Sequence, residues 1–170
     1  MNTSTYVIIM VALVIMSAYC SATETAFSSL NKTKLKTLAE KGDRKAALAC
    51  RLSDNYDKLI STILIGNNIV NIALASIGTV FFTIHYGDVG ATISTVVITV
   101  VVLIFGEVTP KSVAKEMPEK FAMFSAPALN LLILLLTPVS FLFSLWKKIL
   151  KKLFKLESAS KMSQEELLML

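Results

Sequence analysis

The chain has 170 residues, of which 54% are hydrophobic, and its mean hydropathy is +0.66. Soluble domains usually contain about 45 to 50% apolar residues, so this composition indicates an integral membrane protein. The formal charge of +5 could suit nucleic acid, but the sequence has no RNA-binding, zinc-finger or helix-turn-helix pattern. It also lacks a nucleophile–base pair, an HExxH motif and a glycine-rich phosphate loop. We therefore expect neither a nucleic-acid partner nor an enzyme.

Three apolar runs are predicted to cross the membrane as α-helices, at about residues 5–22, 59–85 and 88–107. A helix that crosses a bilayer requires about 20 residues at about 1.5 Å per residue, and each run is close to that length or longer. The first run follows an uncharged N-terminus, so we interpret it as a retained helix and not as a signal peptide. The sequence thus predicts an all-α membrane protein.

The positive charges predict how these helices are oriented. All 17 Lys and Arg residues lie within residues 31–58, 111–120 or 147–170, and the opposite ends of the runs have none. By the positive-inside rule the N-terminus lies outside, and the C-terminus reaches the cytoplasm after three crossings. We therefore expect a multi-pass protein of the plasma membrane, with the lipid bilayer as its partner.

Two hydrophilic or interrupted segments are predicted to form juxtamembrane helices, at residues 25–52 and 118–155. In the first segment, Gly42 and Asp43 separate two short amphipathic helices, and Asp43 caps the second. Most charges of this segment are expected to be solvated.

The apolar part of the second segment, residues 121–145, is long enough for a fourth span, and that alternative stays open. Its two flanks are both basic, however, and Pro127 and Pro138 would each remove a helical hydrogen bond. We therefore predict broken helices that lie in the cytoplasmic interface or fold back into the bilayer. Residues 156–170 are predicted to begin a linker to a cytoplasmic region, with Ser163 as the N-cap of a new helix.

Polar residues inside or beside the apolar runs are candidates for function. Asn71 lies on the same helical face as both Asn67 and Asn68, and Ser17 and Ser21 are four residues apart on the first run. Hydrogen bonds between helices would also explain these residues. Two acids complete the set, because a charge at membrane depth costs at least about 2.5 to 3.5 kcal/mol unless it is paired. They are Glu24 and Glu107.

The third run ends in a pattern that frees a backbone oxygen. Pro110 has no N–H, so the carbonyl of Gly106 loses its helical partner beside the carboxylate of Glu107. A helix ended by proline with a solvated Glu107 is the plain alternative. The predicted topology brings the three polar clusters to one level in the inner half of the membrane. All their donors are oxygens, which Mg2+ binds in sets of six at about 2.0 to 2.1 Å.

Residues 21–27, 65–72 and 105–111 resemble the three signatures of the DUF21 membrane domain of the CNNM/CorC magnesium transporters. The resemblance extends over residues 1–155 and implies a homodimer of three-helix subunits, each with a belt of juxtamembrane helices and one dehydrated Mg2+. In that family a serine, an asparagine and a glutamate hold the ion together with backbone carbonyls. The matching residues here are Ser21, Asn68 and Glu107, with the carbonyl of Gly106, and the secondary candidates are Asn67, Ser17, Glu24 and Asn71.

The resemblance also implies a function. The family transports Mg2+ across the plasma membrane by alternating access, and efflux coupled to Na+ entry is the leading direction. Cytoplasmic CBS domains normally follow the membrane domain, and we expect them beyond the linker. The rival hypothesis is a membrane anchor that senses Mg2+ and regulates a separate channel without transporting the ion.

Overall fold

The computed structural model describes the backbone of residues 2–153 and the side-chain environment of residues 2–136. Within this part of the chain every regular element is helical, which confirms the predicted all-α class. A 3₁₀ turn, Gly87–Val89, precedes α5, and a π-helical segment, Val102–Val108, joins α5 to α6. The α-helices are α1 Thr3–Ser29, α2 Lys32–Glu40, α3 Arg44–Asp54, α4 Tyr56–Tyr86, α5 Gly90–Val101, α6 Thr109–Glu116 and α7 Pro118–Leu153.

Three helical stretches of the described chain are long and apolar enough to cross a membrane, namely Thr3–Ser29, Tyr56–Glu116 and Pro118–Leu136. The second folds back on itself at the 3₁₀ turn, so it has two arms, one formed by α4 and the other by the stretch from α5 to α6. The third begins the segment for which we predict an interfacial or re-entrant position. Its place relative to the bilayer stays a prediction, as does the orientation of the N-terminus.

Helices α1 and α4 run antiparallel along their whole length. At one end the Thr3 hydroxyl lies 3.4 Å from Nε2 of His85, and at the other the Ser28 hydroxyl lies 3.0 Å from that of Tyr56. Because these pairs join opposite ends of the two helices, residues near the middle of α1 must face the middle of α4.

Helices α4 and α5 form a tight hairpin that depends on glycine. Gly87 has φ +62°, a conformation that side chains with a Cβ rarely adopt. A Cβ on Gly90 would lie 2.5 Å from the Phe82 carbonyl oxygen, so only glycine fits this approach. Further along, Gly78 packs against Ser94, whose hydroxyl would lie 3.2 Å from an added Cβ. These small residues therefore serve packing within one chain.

The first hydrophilic segment forms two short helices, as predicted. Asp43 caps α3, since its carboxylate accepts hydrogen bonds from the backbone N–H groups of Lys45 and Ala46 at 2.8 and 3.1 Å. Helix α1 continues to Ser29, however, so residue 25 lies within α1 and the two short helices begin at Lys32 and at Arg44. The reason is packing, because the last turns of α1 are buried in the core cluster. The juxtamembrane position of the two short helices stays a prediction.

Helix α7 is continuous through Pro127 and Pro138, so the predicted break into shorter helices is wrong. A proline removes one helical hydrogen bond and bends a helix without always ending it. The first half of α7 is held by burial of Ala122, Ala126 and Leu129 in the same core as α1, α2 and α3. Residues up to Leu134 form one compact unit, which contains every contact described below, and Leu135 begins a second unit. Ser163 lies outside the described residues.

Candidate cation site

The Ser17 side chain is the point where three helical elements meet. Its hydroxyl lies 3.2 Å from Oδ1 of Asn67 and 2.8 Å from Oδ1 of Asn71, and the residue is fully buried. On the third side, a Cβ added to Gly106 would lie 3.0 Å from Ser17 Oγ. A hydroxyl has one proton, so Ser17 can donate to only one asparagine at a time. Three side-chain oxygens therefore converge beside the backbone of the π segment.

The axial positions of the other candidates follow from two contacts. Ser17 of α1 lies against Gly106, and the Glu24 carboxylate lies 3.5 Å from Nζ of Lys111. The two contact pairs have nearly the same separation in sequence, because the later α1 residue contacts the later residue of the second element. Helix α1 and the π segment therefore run in the same direction. The backbone of Glu107 thus lies at the level of α1 between Ser17 and Glu24. Ser21 occupies that same interval.

The hydroxyl of Ser21 is buried and has no hydrogen-bond partner within residues 2–136. Such a group costs about 1 to 3 kcal/mol because it has lost water without gaining another partner. It is also one turn from Ser17, on the same face of α1. The family resemblance gave Ser21 as a ligand, and a buried hydroxyl with no protein partner fits that role.

The π segment leaves backbone oxygens without helical partners. The N–H of Thr109 donates to the carbonyl of Ile104, five residues back, and the α-helical pattern that resumes in α6 pairs Ser112 with Val108. The three carbonyls in between have one available donor, the N–H of Lys111, since Pro110 has none. At least two carbonyls of residues 105–107 therefore lack a helical partner. The sequence analysis predicted a single free carbonyl, that of Gly106.

The two acids of the site have different environments. Glu107 is partly buried, and its carboxylate forms no hydrogen bond or ion pair with any other described residue. Glu24 pairs with Lys111, and both side chains are partly exposed. An ion pair of this exposure contributes little to stability, so it can separate at low cost. Glu107 is thus the acid whose charge is free for a bound cation.

The three asparagines do not share one environment. Asn67 and Asn71 bond to Ser17, whereas Asn68 is exposed on the surface of the single chain. The structure therefore brings together Ser17, Asn67, Asn71 and Gly106, with Ser21 and Glu107 in the adjoining interval between Ser17 and Glu24. It places Asn68 to one side of that group, and its role as a ligand stays a prediction.

The chemistry of the donors favours a hard cation. Among the described residues no group of three or more His, Cys, Asp or Glu could hold a metal. His85, the one histidine, lies at the far end of α4 beside Thr3. Hydroxyl, amide, backbone carbonyl and a single carboxylate remain, and these oxygens suit Mg2+ or Na+ better than zinc or copper.

The sequence reasoning missed the π segment and with it a second unpaired carbonyl. A glycine followed by a proline four residues later indicates a weakened helix, and the sequence analysis used that signal. The extra residue of a π turn has no comparable signature. Its register depends on how Gly106 packs against Ser17, which the local sequence does not encode.

Comparison with known proteins identifies the family. The model of the cyclin M transmembrane N-terminal domain matches residues 8–170. A UPF0053 protein of Haemophilus influenzae is 40% identical over 154 residues, which cover 91% of this chain and 37% of that relative. The UPF0053 inner membrane protein YfjD of Escherichia coli is 38% identical over 156 residues, with 89% of this chain and 36% of its own length covered.

A more distant relative, a polyamine export protein of Haemophilus influenzae, is 24% identical over 165 residues, covering 89% of this chain and 38% of that protein. The chain thus spans little more than a third of the length of these curated relatives. The match to the family model and the identities above confirm the resemblance seen in the three signatures. The chain belongs to the CNNM (DUF21/UPF0053) family of membrane proteins.

Proposed function

We propose that this chain moves Mg2+ across the plasma membrane around a site where the ion has lost its water. The observation that supports the proposal is the unpaired hydroxyl of Ser21, which lies in the same interval of α1, between Ser17 and Glu24, as Glu107 and the carbonyls that the π segment leaves free. These groups supply carboxylate, hydroxyl and backbone oxygens within one interval of α1. Mg2+ requires about six such oxygens and gives up its hydration shell only when they replace it.

The full ligand set that we propose combines the family match with the geometry. Ser21, Glu107 and the carbonyl of Gly106 form its centre, and an asparagine of α4 completes it. The family match favours Asn68 for that position, whereas proximity to Ser17 favours Asn67. Ser17 and Asn71 would stand beside the ion on the N-terminal side of α1, and Glu24 on the opposite side.

The contacts around the site support alternating access. On the N-terminal side of α1, the Ser17 bonds to Asn67 and Asn71 join α1 to α4, and the Tyr6 and Phe81 rings pack at 6.0 Å beyond them. On the other side the weak Glu24–Lys111 pair is partly exposed. The ion would therefore enter past that pair. With the predicted orientation this side faces the cytoplasm, so the proposed direction is efflux, with Na+ entry as the candidate driving reaction.

The alternatives to Mg2+ transport are transport of a polyamine and sensing of Mg2+ without transport. A polyamine, as in the name of one relative, carries several separated charges and would need several acids along its path. Near the proposed site the described residues offer Glu24 and Glu107, which suits a compact divalent ion better. A sensor that binds Mg2+ and regulates a separate channel would use the same ligands, so only a flux measurement distinguishes it.

The test is a flux assay with the purified chain in liposomes that contain a Mg2+ dye. We expect Mg2+ flux in the wild-type chain and none for spermidine under the same gradient. Binding of Mg2+ without flux would favour the sensor, and spermidine flux without Mg2+ flux would replace the proposed cargo. A flux that requires a Na+ gradient would support coupling to Na+ entry.

A further inference from the structure

We infer that Tyr19 is a positioning residue for the cation site, because its phenol fixes α1 to α7 at the level of the site. The inference rests on the proposed function, since it concerns how the same ligands are held. It begins from one hydrogen bond, in which the Tyr19 hydroxyl donates to the backbone carbonyl of Ser125 at 3.0 Å. Ser125 is fully buried and Tyr19 is half-buried, so this bond is partly shielded from water.

Tyr19 has further contacts that define its position. Its ring lies 6.4 Å from that of Phe121, one turn before Ser125 on α7. Its own backbone carbonyl accepts a hydrogen bond of 2.6 Å from the hydroxyl of Thr23, which is fully buried. Both the side chain and the backbone of Tyr19 are therefore constrained by neighbours.

Helical geometry places Tyr19 opposite the candidate ligands. It is two residues from Ser17 and two from Ser21, which corresponds to about 200° around an α-helix in each direction. Ser17 and Ser21 share one face, so Tyr19 points away from both. Helix α1 is thus held on one face by Asn67 and Asn71 and on the other by α7.

A second attachment lies nearer the start of α7. The Glu119 carboxylate accepts hydrogen bonds from the backbone N–H of Asn31 at 3.3 Å and from Nζ of Lys34 at 3.2 Å. This attachment holds the junction between α1 and α2, beyond the level of the proposed ligands. Tyr19 is the attachment at the level of the ligands themselves.

This arrangement allows α7 to control the site. A displacement of α7 relative to the bundle would act on Tyr19 and so rotate or shift the turn of α1 that carries Ser17 and Ser21. Because residues 118–134 of α7 belong to the same compact unit as α1 and share its core, such a displacement reaches α1 through the Tyr19 bond. Loss of the phenol would let α1 sample positions in which the Ser21 oxygen misses the ion, and the apparent affinity falls with the fraction of competent chains.

The experiment compares Tyr19→Phe with Tyr6→Phe in the 170-residue chain in lipid nanodiscs. Tyr6 is a matched control, since it lies on the same helix with its ring against Phe81 and its hydroxyl has no hydrogen bond among the described residues. The first readout is the Mg2+ dissociation constant by calorimetry. The second is the protection of α7 amides 119–130 from hydrogen exchange when Mg2+ is added.

We expect Tyr19→Phe to weaken Mg2+ binding about 3- to 10-fold, the loss typical of one hydrogen bond, and to abolish the Mg2+-dependent protection of α7. Tyr6→Phe should change neither. Ser125→Ala should also change neither, because the acceptor is a backbone carbonyl that alanine retains. A purely structural role would lower the unfolding temperature but leave the Mg2+-dependent protection intact.

Wild-type binding with identical behaviour of Tyr19→Phe and Tyr6→Phe would overturn this inference and leave the proposed function standing. Failure of the wild-type chain to bind Mg2+ would instead overturn the proposed function, and the inference would fall with it. The two failures are therefore distinguishable within one experiment.

Discussion

Substitution of Ser21 by alanine should have effects of opposite sign on stability and on ion binding. In the ion-free chain the buried Ser21 hydroxyl has no partner among the described residues, which costs about 1 to 3 kcal/mol. Alanine removes that group and leaves a gap of only one oxygen atom. We therefore expect the ion-free Ser21→Ala chain to be more stable than the wild type by about 1 kcal/mol.

The effect on Mg2+ should be unfavourable, because alanine offers no oxygen in place of a ligand. We expect the dissociation constant to rise at least about 10-fold, which corresponds to about 1.4 kcal/mol. The assays are thermal unfolding in the presence of a chelator and a calorimetric titration with Mg2+, both on the same preparation.

Ser53 provides a matched control for this substitution. It lies on α3, and its hydroxyl is the other buried side-chain oxygen without a hydrogen bond in the described region. Ser53→Ala should therefore also stabilise the chain but leave the Mg2+ affinity unchanged. Unchanged affinity in Ser21→Ala, or destabilisation of its ion-free form, would refute the assignment of Ser21 as a ligand kept unpaired for the ion.

Three further predictions follow from the same structure. Gly106→Ala should weaken Mg2+ binding about 10-fold or more in a titration, because its Cβ would lie 3.0 Å from Ser17 Oγ, and the shift that relieves this contact would move the Gly106 carbonyl away from the other ligands. If the chain is a homodimer through the exposed face of α4, a cysteine at Ile72, which is 67% exposed, should crosslink in membranes, whereas one at the fully buried Leu74 should not; equal yields would exclude this face. If α7 stays on the cytoplasmic side, cysteines at Lys120 and Lys147 should resist an impermeant thiol reagent in intact cells after Cys20 and Cys50 are replaced, and labelling of either from outside would establish a further crossing.

Small residues of the second and third apolar runs could pack within one chain or against a second copy of it. Gly78, Gly90 and Ser94 all make close contacts between α4 and α5. They are therefore explained within one chain, whereas Ala75 and Ser76 are exposed and remain available for a second copy.

Local signals predicted the parts of the fold that depend on local energy. The Asp43 cap is one example, because a side-chain carboxylate one or two residues before a helix satisfies backbone N–H groups wherever the helix lies. The apolar runs that became α1 and α4 are another, since length and hydropathy decide them.

The features that depend on distant contacts were not predictable in the same way. Asn67 and Asn68 are both neighbours of Asn71 on a helix, so their spacing alone does not show which of them contacts Ser17. The rotation of α4 decides, and burial of Gly66 and Gly78 helps to set it. In α7 the cost of two prolines, about 3 kcal/mol each in a helix interior, had to be weighed against a packed face that only the fold reveals.

The most direct test of the central claim is a calorimetric Mg2+ titration of Glu107→Gln against Glu116→Gln. Glu107 is partly buried beside the interval of α1 that carries Ser21, whereas Glu116 is exposed at the end of α6, so the two variants make the same chemical change in different places. Loss of the one unpaired carboxylate near the proposed site should weaken Mg2+ binding by about 100-fold or more, since a charge-assisted contact in a partly buried site is worth about 3 kcal/mol. We expect that loss for Glu107→Gln with a normal unfolding temperature, and wild-type binding for Glu116→Gln. Equal Mg2+ affinity in the two variants would contradict it.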